Sequence, residues 1–316
     1  MKALITGISG FAGSHLAEFL IDKGYELFGT FYDKSTFSNL NGFIDKIRLF
    51  ECDIRNYNDL KQITKKVQPD EIYHLAAISF IPTAIENPKL TFDTNLYGTL
   101  NLYESVKELK ISPKILFVGS ADEYGLIKES DLPINEDCLL KPLNPYSISK
   151  ASADFISYFY FKNYHLNIIR VRPFNHIGPR QSPEFVCSSF AKQMAEIEKG
   201  LKEPIIKVGN LETKRDFTDV RDMVRAYWLT IQKGELGEVY NICSGKANSI
   251  EELLNRILAL CEKNIRVKQD TKRLRTSDVP LLIGNFTKFA KKTGWEPEIP
   301  LKKTLKDIMN YWRERR

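Results

Sequence analysis

The sequence predicts a doubly wound α/β fold, a parallel sheet covered by helices on both faces, with a smaller C-terminal α/β region for substrate. Three observations carry this expectation. Short apolar runs alternate with longer helical patterns through the first 172 residues. A glycine trio occupies the first strand-to-helix turn, and after Arg172 the rhythm breaks into loops punctuated by Pro and Gly. Strands alternating with helices in this way form βαβ units, whose parallel strands stack into one sheet.

Taken in order, 3–5 reads as a strand, 13–23 as a helix and 26–30 as a second strand before a polar loop. A third strand over 47–51, a helix over 57–67 and a fourth strand over 71–76 follow. Next come a long helix over 96–109, a strand over 114–118, a helix over 145–164 and a sixth strand over 167–171. Beyond these, helices are expected near 185–199, 219–232 and 249–261, and a strand over 239–242 is expected to return to the sheet. The domain organisation that follows is a sheet domain over 1–172, rejoined by 216–243, with 173–215 and 244–316 as a smaller region laid over its edge.

Composition excludes several classes of function. With 43% hydrophobic and 27% charged residues the chain reads as globular. Its net charge of +6 is spread out, without the basic stripe that nucleic acid requires. The five cysteines are scattered and form no CxxC pair, so neither a disulfide framework nor a zinc site is expected, and a reducing cytoplasm is the natural setting. Glycines at 7, 10 and 13 interrupt what could pass for a signal peptide, and no apolar run is long enough to span a membrane.

The turn Thr6-Gly7-Ile8-Ser9-Gly10-Phe11-Ala12-Gly13 joins the first strand to the first helix. Glycines there allow a tight turn and a close approach to a pyrophosphate, which rests on the helix N-terminus. Gly7, Ser9, Gly10, Phe11 and Gly13 are therefore candidate cofactor contacts, and the sheet is of the Rossmann type. The spacing is GxxGxxG, one residue longer than the usual fingerprint. At the end of the second strand Asp33 could hold a ribose 2′-hydroxyl, whereas Lys34 would favour a 2′-phosphate; no arginine stands in this stretch, and NAD or NADP is left open. Asp53 and Ile54 close the third strand beside the expected adenine. Leu75, Ala76 and Ala77 close the fourth, where small side chains admit a cofactor.

Tyr146 and Lys150 stand four residues apart on one face of a helix, and Ser120 follows the fifth strand at the edge where such sheets bind ligands. A free tyrosine has a pKa near 10. A neighbouring ammonium favours phenolate and would lower that value, making the phenol useful for proton transfer. The Ser120 hydroxyl could polarise the same substrate oxygen.

With Asn95, these motifs resemble the extended short-chain dehydrogenase/reductase family across essentially the whole chain. The resemblance implies that Tyr146 donates or accepts the proton, Lys150 binds the nicotinamide ribose, Ser120 contacts the reacting carbonyl and Pro173 borders the cofactor. It implies NAD or NADP as cofactor, reduced as hydride donor, with dinucleotide binding by 1–172 and 216–243 and nucleotide-sugar binding by 173–215 and 244–316.

Arg172-Pro173-Phe174-Asn175-His176-Ile177-Gly178-Pro179, Arg215-Asp216-Phe217-Thr218-Asp219-Val220-Arg221-Asp222 and 273–280 resemble the branch that reduces a GDP-4-keto-6-deoxy-mannose, related to GDP-mannose dehydratases. That likeness implies a GDP-sugar substrate reduced at C4 to GDP-D-rhamnose. Arg215 and Arg275 would grip the diphosphate, with Asn175, Ala121 and Asp278 also against the substrate. Family dehydratases carry a Thr and a Glu before the Tyr-Gly pair. Here Ser120 replaces the threonine, which favours reduction and leaves open whether Asp122 or Glu123 reaches the substrate. Arg180 stands where relatives tend to have glycine.

A hydrolase is disfavoured because the four histidines fall on unrelated elements and no GxSxG elbow appears. A cofactor-sensing binding protein would not need the Tyr–Lys pair. Apolar excess on 96–109 and 151–164, including Phe155, Ile156, Phe159 and Tyr160, points to a homodimer through a four-helix bundle, as is common in the family.

Overall fold

The computed structural model describes residues 1–273 and 279–315. In chain order the strands are β1 (Lys2–Thr6), β2 (Glu26–Phe31), β3 (Ile47–Glu51), β4 (Glu71–His74), β5 (Lys114–Val118) and β6 (Ile168–Pro173). They continue as β7 (Asn175–Ile177), β8 (Ile205–Val208), β9 (Lys214–Asp219), β10 (Val239–Ile242), β11 (Ala247–Ser249), β12 (Arg266–Gln269) and β13 (Leu281–Leu282).

Seven strands form the central sheet in the order β3-β2-β1-β4-β5-β6-β10, every neighbouring pair parallel. This is the expected doubly wound sheet, and β10 is the returning strand. Side chains alternate between two apolar faces. Ala3 and Ile5 pack beneath the Phe11–Asp22 and Val220–Lys233 helices, while Leu4 joins Leu102, Phe117 and Ile168 on the opposite face. A sheet buried on both sides needs such helices over each face.

Two of the boundaries that differ from expectation bear on the site. β4 ends at His74, because the N–H groups of Leu75 and Ala76 turn toward the Thr6 hydroxyl, both at 3.2 Å. The helix expected over 96–109 begins at Gly98 and is preceded by a wide π turn, Asp93–Tyr97. Asn95 lies in that turn and faces inward. Its amide donates to the Ile78 carbonyl at 3.0 Å and to Ser149 Oγ at 2.9 Å, and accepts the Ile78 N–H at 2.8 Å.

The second half adds two small sheets, one with β9 paired to β7, β11 and β13, the other of β8 and β12. They enclose a separate apolar cluster with Phe190, Met194, Leu253 and Ile308. Among the described residues no helix is long and apolar enough to cross a membrane.

Candidate active site

The strand order reverses between β1 and β4, and a crevice opens at their carboxyl ends. It forms a continuous cleft of about 1130 Å³ running from the glycine loop to β9. It is lined by the nominated Gly7, Ser9, Gly10, Phe11, Gly13, Asp33, Asp53, Ile54, Leu75, Ala76 and Ala77 at one end, then Ser120, Ala121, Tyr146, Lys150, Pro173, Asn175 and Arg215; Lys34 and Asn95 are not in its lining. Arg275 and Asp278 lie outside the described residues.

The glycine loop fits a dinucleotide. Gly7 has φ +72°, and a Cβ there would lie 2.9 Å from the Ala76 backbone. A Cβ on Gly13 would lie 2.3 Å from the Gly7 carbonyl oxygen. No side chain caps the Phe11–Asp22 helix and no acid occupies its first turn, so its leading N–H groups suit an anion. Two residues that the sequence did not flag brace the loop from below: Thr36 Oγ1 donates to Ser9 Oγ at 2.7 Å, and the Asn39 amide donates to the Ser9 carbonyl at 3.0 Å.

At the far end of this half Asp33 is exposed and its carboxylate accepts the Ser35 N–H at 2.6 Å; hydrogen bonding with the Ser35 side chain, and then with this N–H, holds its pKa below the usual value. The stretch around Asp33 itself holds no arginine, but one arrives from another part of the chain. Arg55 arrives from the loop after β3, lies 5.9 Å from the Tyr32 ring and grips Asp53, its Nε donating at 2.9 Å. The parallel pairing of Phe31 with Glu51 brings the two strand exits together, a proximity that chain position conceals.

Tyr146 and Lys150 come from the Pro145–Tyr164 helix, whose start is fixed by Asn144 in a reciprocal cap with Ser147. Ser120 begins a short turn after β5 and its Oγ accepts the Asp122 N–H at 3.1 Å. The expectation that Lys150 lowers the Tyr146 pKa is not met. Burial, followed by the negative charge of Asp122, raises the phenol above its ordinary value, and hydrogen bonding with the Ser120 side chain only partly opposes them. Desolvation penalises the phenolate more than its neighbours favour it. Lys150 is itself buried, which lowers its pKa to about 8, while Glu123 and Asp154 favour its charged form.

Asp122 and Glu123, adjacent in sequence, part company in space. Asp122 lines the cleft, whereas Glu123 is fully buried behind it. The Glu123 carboxylate accepts the Ser120 N–H at 2.7 Å and pairs with Arg172 at 3.2 Å. Arg172 in turn meets Asp154 at 2.9 Å.

The Arg215–Asp222 motif divides in the same way. Arg215 and Phe217 face the cleft from β9. Asp216 is buried and accepts the N–H groups of Ser244 at 2.7 Å and Gly245 at 2.9 Å. Asp219 caps the next helix by accepting the Arg221 N–H at 2.8 Å. In the Arg172–Pro179 stretch, His176 stacks on Phe11 with ring centroids 5.7 Å apart. Arg180 has φ +73°, pairs with Glu18 and covers the Phe43 ring at 5.6 Å, tying the second half to the first helix.

Comparison with known proteins agrees with this geometry. Residues 4–308 match the family described as GDP-mannose 4,6 dehydratase. A GDP-6-deoxy-D-mannose reductase of Pseudomonas aeruginosa is 33% identical over 314 residues, 99% of this chain and 98% of the relative. A GDP-mannose 4,6-dehydratase of Yersinia enterocolitica is 30% identical over 350 residues, 98% of this chain and 92% of that protein. The solved structure of RMD from Pseudomonas aeruginosa complexed with NADPH superposes with a TM-score of 0.85 at 32% identity, covering 99% of this chain and 98% of the other. By its sequence, its sheet and its glycine-loop crevice, the chain belongs to the GDP-mannose 4,6-dehydratase family of extended short-chain dehydrogenases/reductases.

Proposed function

We propose that this protein is an NAD(P)H-dependent reductase of a GDP-linked 4-keto-6-deoxy-mannose, converting the C4 ketone to the alcohol of GDP-D-rhamnose. The carrying observation is that Ser120, Tyr146 and Lys150 share one cleft with a glycine loop shaped for a dinucleotide. The names of its relatives support a GDP-sugar as substrate.

The reduced nicotinamide, when bound, supplies the hydride. The chain does the rest. Gly7, Gly10 and the first helical N–H groups hold the pyrophosphate, and Asp53 and Ile54 flank the adenine. Lys150 holds the nicotinamide ribose. Ser120 donates to the C4 oxygen, and Tyr146, whose raised pKa keeps it protonated at neutral pH, delivers its proton to that oxygen as negative charge develops. Arg215 binds the diphosphate and Asn175 the sugar–nucleotide, from the opposite wall.

One observation favours a second reading, dehydration of GDP-mannose. Asp122 lies in the cleft close enough to Tyr146 to raise its pKa, so a carboxylate is available for elimination. Incubation with GDP-4-keto-6-deoxy-mannose and NADH or NADPH, with the product identified by NMR, tests the first reading. Release of the keto-sugar from GDP-mannose without added reductant would replace it with the second.

A homodimer belongs to the same proposal. On the Pro145–Tyr164 helix Phe155 is 63% exposed and Phe159 47%, although Tyr160 is buried against Tyr103. A monomeric mass by light scattering would count against it. All five cysteines are free, which suits the reducing cytoplasm proposed as its setting.

A further inference from the structure

We propose that this protein prefers NADH to NADPH, with Asp33 accepting the 2′-hydroxyl of the adenosine ribose and an Asp53–Arg55 ion pair withholding the arginine from a 2′-phosphate. This rests on the adenine placement given above, and on nothing at the sugar end of the cleft.

The two cofactors differ by one phosphate on that ribose, which carries roughly two negative charges at neutral pH. A cleft accommodates it with surplus positive charge or with an arginine fork free to grip it. Among the described residues, three charged side chains from the exits of β2 and β3 line the cleft: Asp33, Asp53 and Arg55. Two carboxylates against one guanidinium leave this corner negative. Lys34, the cation beside Asp33, is not in the lining.

Asp33 suits a hydroxyl. Its carboxylate is exposed at the cleft, and Oδ1 accepts the Ser35 N–H at 2.6 Å, a turn that fixes the group while leaving lone pairs for a further donor. An ionised carboxylate accepts hydrogen bonds and cannot donate them. It therefore pairs with a 2′-hydroxyl and repels a phosphate in the same place.

Arg55 is the cation that could reverse this choice. It reaches the same corner, 5.9 Å from the Tyr32 ring, because Phe31 and Glu51 are partners across β2 and β3. Its fork is already closed. Nε lies 2.9 Å from both oxygens of Asp53, and Nη2 donates to Oδ2. The Arg55 N–H also donates to Asp53 Oδ1 at 3.0 Å, so backbone and side chain both tie the pair. A phosphate gripped by two parallel bonds would need that same edge of the guanidinium.

The test titrates the full chain with NADH and with NADPH, followed by cofactor fluorescence, with no sugar present. The wild type should bind NADH about tenfold or more tighter than NADPH, the scale of one hydrogen bond to a charged group. NADPH still fills the cleft, more weakly. Asp33→Asn keeps an acceptor for the Ser35 N–H and removes the charge, so it should weaken NADH, tighten NADPH and cut the preference about tenfold. Asp53→Asn frees the Arg55 fork and should tighten NADPH several-fold relative to NADH. Neither side chain is buried, so both variants should fold.

A wild type that binds NADPH as tightly as NADH overturns the proposal, as does an unchanged preference in Asp33→Asn. Equal weakening of both cofactors by Asp53→Asn would overturn the withholding role and leave Asp53 serving the adenine alone. Because no keto-sugar takes part, failure of the reductase reading would leave these titrations standing.

Discussion

The two ends of the cleft are built by different means. The dinucleotide end is made mainly of backbone: a glycine turn and uncapped helical N–H groups within one short stretch of chain, with the ends of the neighbouring parallel strands. The opposite end is made of side chains, with Asn175, Arg215 and Phe217 delivered by β7 and β9, paired strands of one small sheet. Backbone geometry can recognise a diphosphate common to many cofactors, whereas side chains on variable loops can distinguish one sugar nucleotide from another. Ser120 and Tyr146, proposed to act on the reacting carbon's oxygen, line the same cleft.

Substitutions should expose this division. Tyr146→Phe should have the largest effect, lowering kcat by about 10²–10⁴-fold, the usual range for loss of a positioned acid. NADPH binding measured by fluorescence should change little, and retained turnover would remove the assigned role. Arg215→Met should raise KM for the GDP-sugar by about 10–100-fold, the loss of one charge-assisted hydrogen-bonding group. Its NADPH affinity should match the wild type. Gly13→Ala should do the converse, weakening NADPH by about tenfold because the new methyl meets the Gly7 carbonyl, a clash of overpacking. Equal effects of either change on both ligands would mean that the ends are not independent.

The smallest effect concerns the seam between the halves. His15 Nε2 donates to the Pro179 carbonyl at 2.9 Å, joining the first helix to the second half. Burial, with the Arg180 charge, lowers its pKa to about 4, and burial lowers His74 to about 3. The unfolded chain takes up these protons near pH 6.5, well before the folded chain. Stability is therefore complete above about pH 6.5 and declines as pH falls toward 4, by about 1.4 kcal/mol per pH unit for each histidine. Urea unfolding of His15→Gln should show a shallower decline than the wild type over that interval.

The dinucleotide end was legible in the sequence because its determinants are local. Gly7, Gly10 and Gly13 lie within one turn, and Tyr146 and Lys150 within one turn of helix, so spacing alone places them. Arg55 was missed because its approach to Tyr32 depends on which strands become neighbours. Glu123 was missed for another reason: sequence does not show which of two adjacent acids faces solvent, and here the cap geometry at Ser120 turns one outward and one inward. The electrostatic expectation for Tyr146 failed on the same ground, since burial is a property of the folded whole. At the sugar end the motifs could be recognised, but Asp216 and Asp219 proved to be braces for turns, while their neighbours Arg215 and Phe217 reach the cleft.

The last strand to join the central sheet is contributed by Val239–Ile242, more than two hundred residues after the first. During synthesis, β6 is left with an open edge until most of the protein has emerged from the ribosome, and the helix that covers one face of the sheet arrives only shortly before that strand. The cofactor-binding half thus cannot finish folding before residues 173–215 of its partner region have been made, and fragments ending before residue 239 should be prone to edge-to-edge association.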